Sequence, residues 1–104
     1  MIINNEFEIV ETQDNGNSIW AEVYDITLQP DGTILYMNDG ESTENIEEAN
    51  HLYTVYVCWR GVWDNRVYFP NDNEYYISDI LDSLKYVEEY LKIRVLGNGF
   101  GELD

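Results

Sequence analysis

Not one lysine or arginine occurs between Met1 and Trp59, a stretch that holds twelve Asp and Glu. All five cations, Arg60, Arg66, Lys85, Lys92 and Arg94, fall in the last 45 residues beside nine further acids, and the 104-residue chain carries a formal charge of -16. Surfaces that hold DNA, RNA or an anionic membrane match many Lys and Arg to a dense array of negative charge. Direct nucleic-acid or membrane binding is therefore not expected. One cysteine, Cys58, excludes an intramolecular disulfide, and a lone thiol between Val57 and Trp59 reads as a small core residue kept reduced, so the cytoplasm is the expected compartment. One histidine, His51, leaves no Ser-His-Asp or Cys-His constellation to argue from and reads as structural. The start, Met-Ile-Ile-Asn-Asn-Glu, has no basic segment, and the chain has no long apolar run, so neither a signal peptide nor a membrane-spanning helix is expected.

Motifs that carry chemistry are equally scarce. Asp14-Asn15-Gly16-Asn17-Ser18 places its glycine third, where a calcium loop needs it sixth. No glycine-rich run is built to cradle phosphate. Carboxylate pairs abound, but among 21 acids adjacency in sequence arises by chance and identifies no acid–base pair. The sequence thus assigns no catalytic residue, no metal ligand and no cofactor, and a non-enzymatic protein is expected.

What is present is enough apolar material to fold. With 44% hydrophobic and 14% aromatic residues the chain differs from a disordered acidic tail, which lacks the apolar area to offset its ordering entropy. Its length suits one domain spanning 1–104. Glu6-Phe7-Glu8-Ile9 alternates charged and apolar residues, the period of a strand with one wet face, over 6–11. The cluster 14–18 is turn chemistry, and 19–28 supplies β-branched and aromatic residues for a second strand. Pro30-Asp31-Gly32 predicts a hairpin turn, with a returning strand over 33–38. The segment 39–50 reads as an acidic loop or a short helix capped by Ser42 or Thr43, with Glu44, Glu47 and Glu48 in its first turn. Residues 53–60 form the strongest strand candidate, with 66–69 pairing back on it.

The clearest helix begins at Ser78. Asp79 and Asp82 lie in its first turns, and Ile80, Leu84, Val87 and Leu91 recur on one face. Lys85 with Glu89 and Glu88 with Lys92 are i,i+4 pairs, each supporting the helix by roughly 0.2–0.5 kcal/mol when exposed. Ile93 to Leu96 extend the helix or form a short last strand, and Gly97-Asn98-Gly99 ends it. Strands followed by one helix predict an α+β fold: a small antiparallel sheet of about four to five strands with one long C-terminal helix packed on one face. Trp20, Trp59, Trp63 and most of the nine tyrosines are expected in the core, Tyr75-Tyr76 at the surface.

Charge of this density repels itself in the compact state, so it needs a reason. A DNA duplex presents a negative charge every ~1.7 Å of axis to a basic groove. A folded protein with projecting carboxylates can fill that groove as a decoy. In size, charge and lack of an active site the chain resembles the small virus-encoded inhibitors of restriction and CRISPR nucleases. That resemblance implies an acidic nucleic-acid mimic that blocks the DNA- or RNA-binding groove of a host defence nuclease. The positions expected to mimic phosphates are Asp39, Glu41, Glu44, Glu47, Glu48, Asp72 and Glu74, chosen because they lie in loops or weak structure. The alternative is an immunity protein or small acidic chaperone that binds one cationic protein. Adaptation to high salt is a third reading, opposed by the presence of only two alanines. The sequence leaves a homodimer open.

Overall fold

A computed structural model describes residues 1–3, 5–70, 73–76 and 84–102. The chain is α+β: an antiparallel sheet of eight strands with one C-terminal helix packed on it. Its strands are β1 (Ile2–Ile3), β2 (Phe7–Asp14), β3 (Ser18–Leu28), β4 (Ile34–Asn38), β5 (Glu41–Thr43), β6 (Tyr53–Cys58), β7 (Arg66–Tyr68) and β8 (Glu74–Tyr76), and helix α1 spans Leu84–Gly97. The main path runs β1-β2-β3-β6-β7-β8, while β4 branches from β3 and carries β5. The sheet is thus larger than the four to five strands expected. The extra strands, β1, β5 and β8, are two or three residues long, too short to show any period in the sequence.

β3 organises the molecule because its eleven residues serve two partners in succession. Ser18 to Val23 pair with β6, and Ile26 to Leu28 pair with β4. Pro30-Asp31-Gly32 makes the turn between β3 and β4: the Gly32 N–H donates to the Gln29 carbonyl at 2.9 Å, and Gly32 has a φ of 89° that a side chain would oppose. β2 pairs with β3 along almost its whole length, with one bulge between Glu11 and Gln13.

Alternation sorts the strand residues onto two faces. Ile9, Ile19, Ala21, Val23, Val55, Val57 and Val67 point to one side and are buried beneath Val87, Leu91 and Val95 of α1. Those three helical residues recur every four positions and form the apolar stripe that seats the helix. Val87 and Leu91 stand as expected. Ile80, like Ser78, Asp79 and Asp82, lies outside the described residues. The segment 93–96 extends the helix. Glu88 accepts from Asn65 Nδ2 at 3.0 Å, and the Lys92 ammonium sits 4.9 Å from the centre of the Trp63 ring.

On the opposite face Tyr24, Ile26 and Tyr36 form a second, smaller apolar cluster with Ile2, Val10, Ile34, Ile46 and Ala49. This cluster ties residues 34–50 to the sheet. Among the described residues no helix is long and apolar enough to cross a membrane.

Candidate interaction surfaces

Five of the seven carboxylates singled out by sequence share one lobe. Asp39 and Gly40 form the two-residue turn between β4 and β5, with Asn38 paired to Glu41 across it. Both turn residues have positive φ, 49° and 85°. That is the turn whose twist matches a hairpin, and Asp-Gly is among its preferred sequences. The short helix capped by Ser42 or Thr43 is therefore replaced by a strand, Glu41–Thr43. A single 3-10 turn, Ile46–Glu48, follows; its N-cap is Asn45, whose side chain accepts from the Glu47 N–H at 3.0 Å. The Thr43 hydroxyl accepts from the Asn45 N–H at 3.1 Å instead of capping a helix of its own.

In this lobe Glu41, Glu44 and Glu47 are exposed and take no side-chain partner among the described residues. Asp39 accepts from Asn50 Nδ2 at 2.7 Å and Glu48 from the Thr43 hydroxyl at 3.2 Å, contacts that orient a carboxylate without neutralising it. Among the described residues none of the five lies within ion-pair distance of a cation.

The other two named positions fare differently. Asp72 lies outside the described residues. Glu74 sits on edge strand β8, three strands from β3, where it receives Arg66 and the Tyr68 hydroxyl, the latter at 3.3 Å. Asp64 holds the other side of the Arg66 guanidinium at 2.9 Å. A carboxylate already matched by an arginine offers little to another cation, and Glu74 is withdrawn from the set.

Arg94 is committed in the same way, reaching from α1 to Glu11 at 2.8 Å and Asp14 at 3.8 Å. Arg60 is held differently. Its Nε donates to Cys58 Sγ at 3.3 Å and its terminal nitrogen to the Tyr56 hydroxyl at 3.4 Å, with no carboxylate among the described residues in ion-pair reach. Cys58 itself is buried, as expected. His51 Nδ1 contacts Glu22 at 3.0 Å.

A second surface was not anticipated from sequence. On the face of the sheet away from α1, register lines up Trp20, Tyr56, Arg66 and Tyr76 across β3, β6, β7 and β8. Trp20 lies with its ring centre 4.4 Å from Tyr56 and 5.4 Å from Tyr68, and the Arg66 guanidinium covers the Tyr76 ring at 4.8 Å. Trp20, Tyr56 and Tyr68 belong to neither apolar cluster, so the expectation that such rings fill the core holds for Tyr24, Tyr36 and Tyr53 but not for these. The one available signal was parity: Trp20 and Tyr56 alternate with the buried Ile19, Ala21, Val55 and Val57. Tyr75 and Tyr76 are exposed, as expected.

Among the described residues no three His, Cys, Asp or Glu side chains gather into a metal-binding group. Comparison with protein-family models, with curated proteins and with solved structures returned no match.

Proposed function

We propose that the protein is an acidic inhibitor that acts by docking its 34–50 lobe into the basic groove of a nucleic-acid-binding enzyme, as a mimic of the phosphate backbone. The observation that carries this reading is the lobe itself. Asp39, Glu41, Glu44, Glu47 and Glu48 project from one hairpin and the turn after it, with no cation among the described residues in ion-pair reach, on a chain of net charge -16. Uncompensated carboxylates at the tip of a hairpin repel one another, which costs stability, and they recover that cost when a partner supplies arginines. The same field repels nucleic acid, so the partner is a protein. A host defence nuclease, of the restriction or CRISPR kind, acting in the cytoplasm is the target this chemistry fits.

The test is capture of partners from a lysate on immobilised protein at low salt, followed by elution with double-stranded DNA in one arm and salt in the other. Release of a nuclease by DNA supports mimicry. A partner that resists DNA and leaves only with salt assigns the protein to the immunity or chaperone class instead.

A further inference from the structure

The end of α1 is fastened to the turn between β2 and β3 by one side-chain amide. Asn98 Nδ2 donates to Asp14 Oδ1 at 3.0 Å and to the Gly16 carbonyl at 3.1 Å. Around it the helix closes on Gly99, whose φ is 91°: the Gly99 N–H donates to the Leu96 carbonyl at 3.0 Å and the Phe100 N–H to the Val95 carbonyl at 3.3 Å. Past this cap the chain becomes a strap. Phe100 packs on Gly16, Gly101 lies against the Trp63 ring, and the Glu102 carbonyl accepts from Trp63 Nε1 at 3.2 Å.

Asn-Gly occurs twice in the sequence, and both copies meet at this clasp: Asn15-Gly16 in the turn and Asn98-Gly99 at the cap. Before a glycine, an asparagine amide is open to attack by the next backbone nitrogen, because no side chain shields the approach. We propose that Asn98 is a deamidation site, and that its loss of ammonia releases the strap. The Gly99 nitrogen attacks Asn98 Cγ; the N–Cγ bond forms, the Cγ–Nδ2 bond breaks, and ammonia leaves carrying the Gly99 amide proton. Water then opens the cyclic imide at either carbonyl, leaving an aspartyl or an isoaspartyl residue at position 98. Either product undoes the clasp. A carboxylate there faces two acceptors, Asp14 Oδ1 and the Gly16 carbonyl, with no proton to offer, while an isoaspartyl link adds a backbone methylene inside the cap.

Surroundings select Asn98 over Asn15. Asn98 is exposed, and a β-carbon on Gly97 or Gly99 would meet nothing within 4 Å, so an imide ring has room. The bonds of a helix's last turn also open readily. Asn15 is pinned at both side-chain polar atoms, by Gln13 Nε2 at 3.0 Å and Ser18 Oγ at 3.3 Å, and the Gly16 N–H donates to Asp14 at 2.9 Å.

Peptide mapping by mass spectrometry, after the folded protein is incubated in warm, mildly alkaline heavy-oxygen water, tests this. Label and amide loss are expected to accumulate at position 98 several-fold ahead of position 15, and tryptophan emission to shift to longer wavelength in step, as Trp63 loses its cover. Asn98→Asp, made directly, reproduces the emission shift and speeds hydrogen exchange over 99–102 without incubation. Circular dichroism verifies its fold, and the aged wild-type protein gives the same readout with no substitution. Reaction first at Asn15, or at neither asparagine, overturns the site; wild-type emission and exchange in both the aged protein and Asn98→Asp overturn the release.

Discussion

Asn50 donates to Asp39 in the turn of the acidic hairpin at 2.7 Å, while its own backbone N–H donates to the Met37 carbonyl at 3.1 Å. One residue thus fastens both the turn residue that carries charge and the strand that leads to it. Beyond this clasp the lobe rests on the small cluster around Tyr24, Ile26 and Tyr36, whereas β3 and β6 share the main core with α1. The molecule is therefore packed in two tiers, with the acidic 34–50 lobe resting on the smaller one.

Asn50→Ala separates the tiers. Amide protons of β4 and β5 are expected to exchange faster in this variant, while those of β3 between Ile19 and Val23 and of β6 keep wild-type protection. Hydrogen exchange read by mass spectrometry or NMR checks this. Uniform loss of protection across the sheet would mean that the lobe and the core unfold as one unit.

Neutralising the lobe tests its purpose. Glu44→Gln, Glu47→Gln and Glu48→Gln combined remove three like charges from consecutive turns without touching a buried group. Thermal stability is expected to hold or rise, because repulsion falls, while association with the captured partner slows by ~10-fold or more and loses part of its salt dependence. Stopped-flow or surface-plasmon association rates report it. An unchanged rate moves the interface away from the lobe, with the Trp20–Tyr56–Arg66–Tyr76 row as the next surface to mutate.

The fold class was legible because β2, β3 and β6 are long enough to alternate, and because Val87 and Leu91 fall on one helical face. Strands of two or three residues were not. Glu41–Thr43 has no apolar member, and its existence depends on the Asp39-Gly40 turn, a hairpin signal overshadowed by the capping residues and acids that follow it. The carboxylates of the lobe were legible as unstructured acids. Glu74 was not legible as an ion-pair partner, since its arginine lies eight residues away and meets it only through the β7–β8 pairing. Nor does composition tell an inward tyrosine from an outward one: Tyr53 and Tyr56 lie on one strand, three residues apart and on opposite faces.

Alkaline pH is expected to unfold the protein through its buried phenols. Burial first, and then the bond to Glu8, pushes the Tyr36 hydroxyl up to about 12; burial, with the nearby Asp25 carboxylate, does the same for Tyr53. An unfolded tyrosine ionises near 10, so between these values the unfolded chain gives up protons that the native state retains. The stabilising contribution is complete below pH about 10 and is lost as pH rises towards 12. Melting temperature followed from pH 8 upwards, alongside phenolate absorbance, is expected to show cooperative unfolding within that window. Tyr36→Phe removes one of the two largest contributions and flattens the profile. A melting temperature that stays level through the window would show that neither hydroxyl is held in its neutral form by the fold.

Leu91→Ala probes how near the charge brings the whole molecule to unfolding. Leu91 is fully buried at the middle of the helical stripe, between Val87 and Val95, and its truncation leaves a cavity under the sheet at a cost of about 2–5 kcal/mol. Domains of this size are stable by only about 5–15 kcal/mol, and the repulsion among 21 carboxylates is expected to place this one towards the lower end in dilute buffer. The variant is therefore expected to lose its cooperative urea transition at low salt and regain it when salt screens the surface, because screening lowers repulsion without refilling the cavity. Equilibrium unfolding followed by tryptophan fluorescence at two salt concentrations decides the matter. If the variant unfolds with the same midpoint at both, surface repulsion contributes little and core packing alone sets the margin. If only high salt rescues it, the protein carries its negative surface at a measurable expense in stability, as expected of a surface that functions by meeting positive charge.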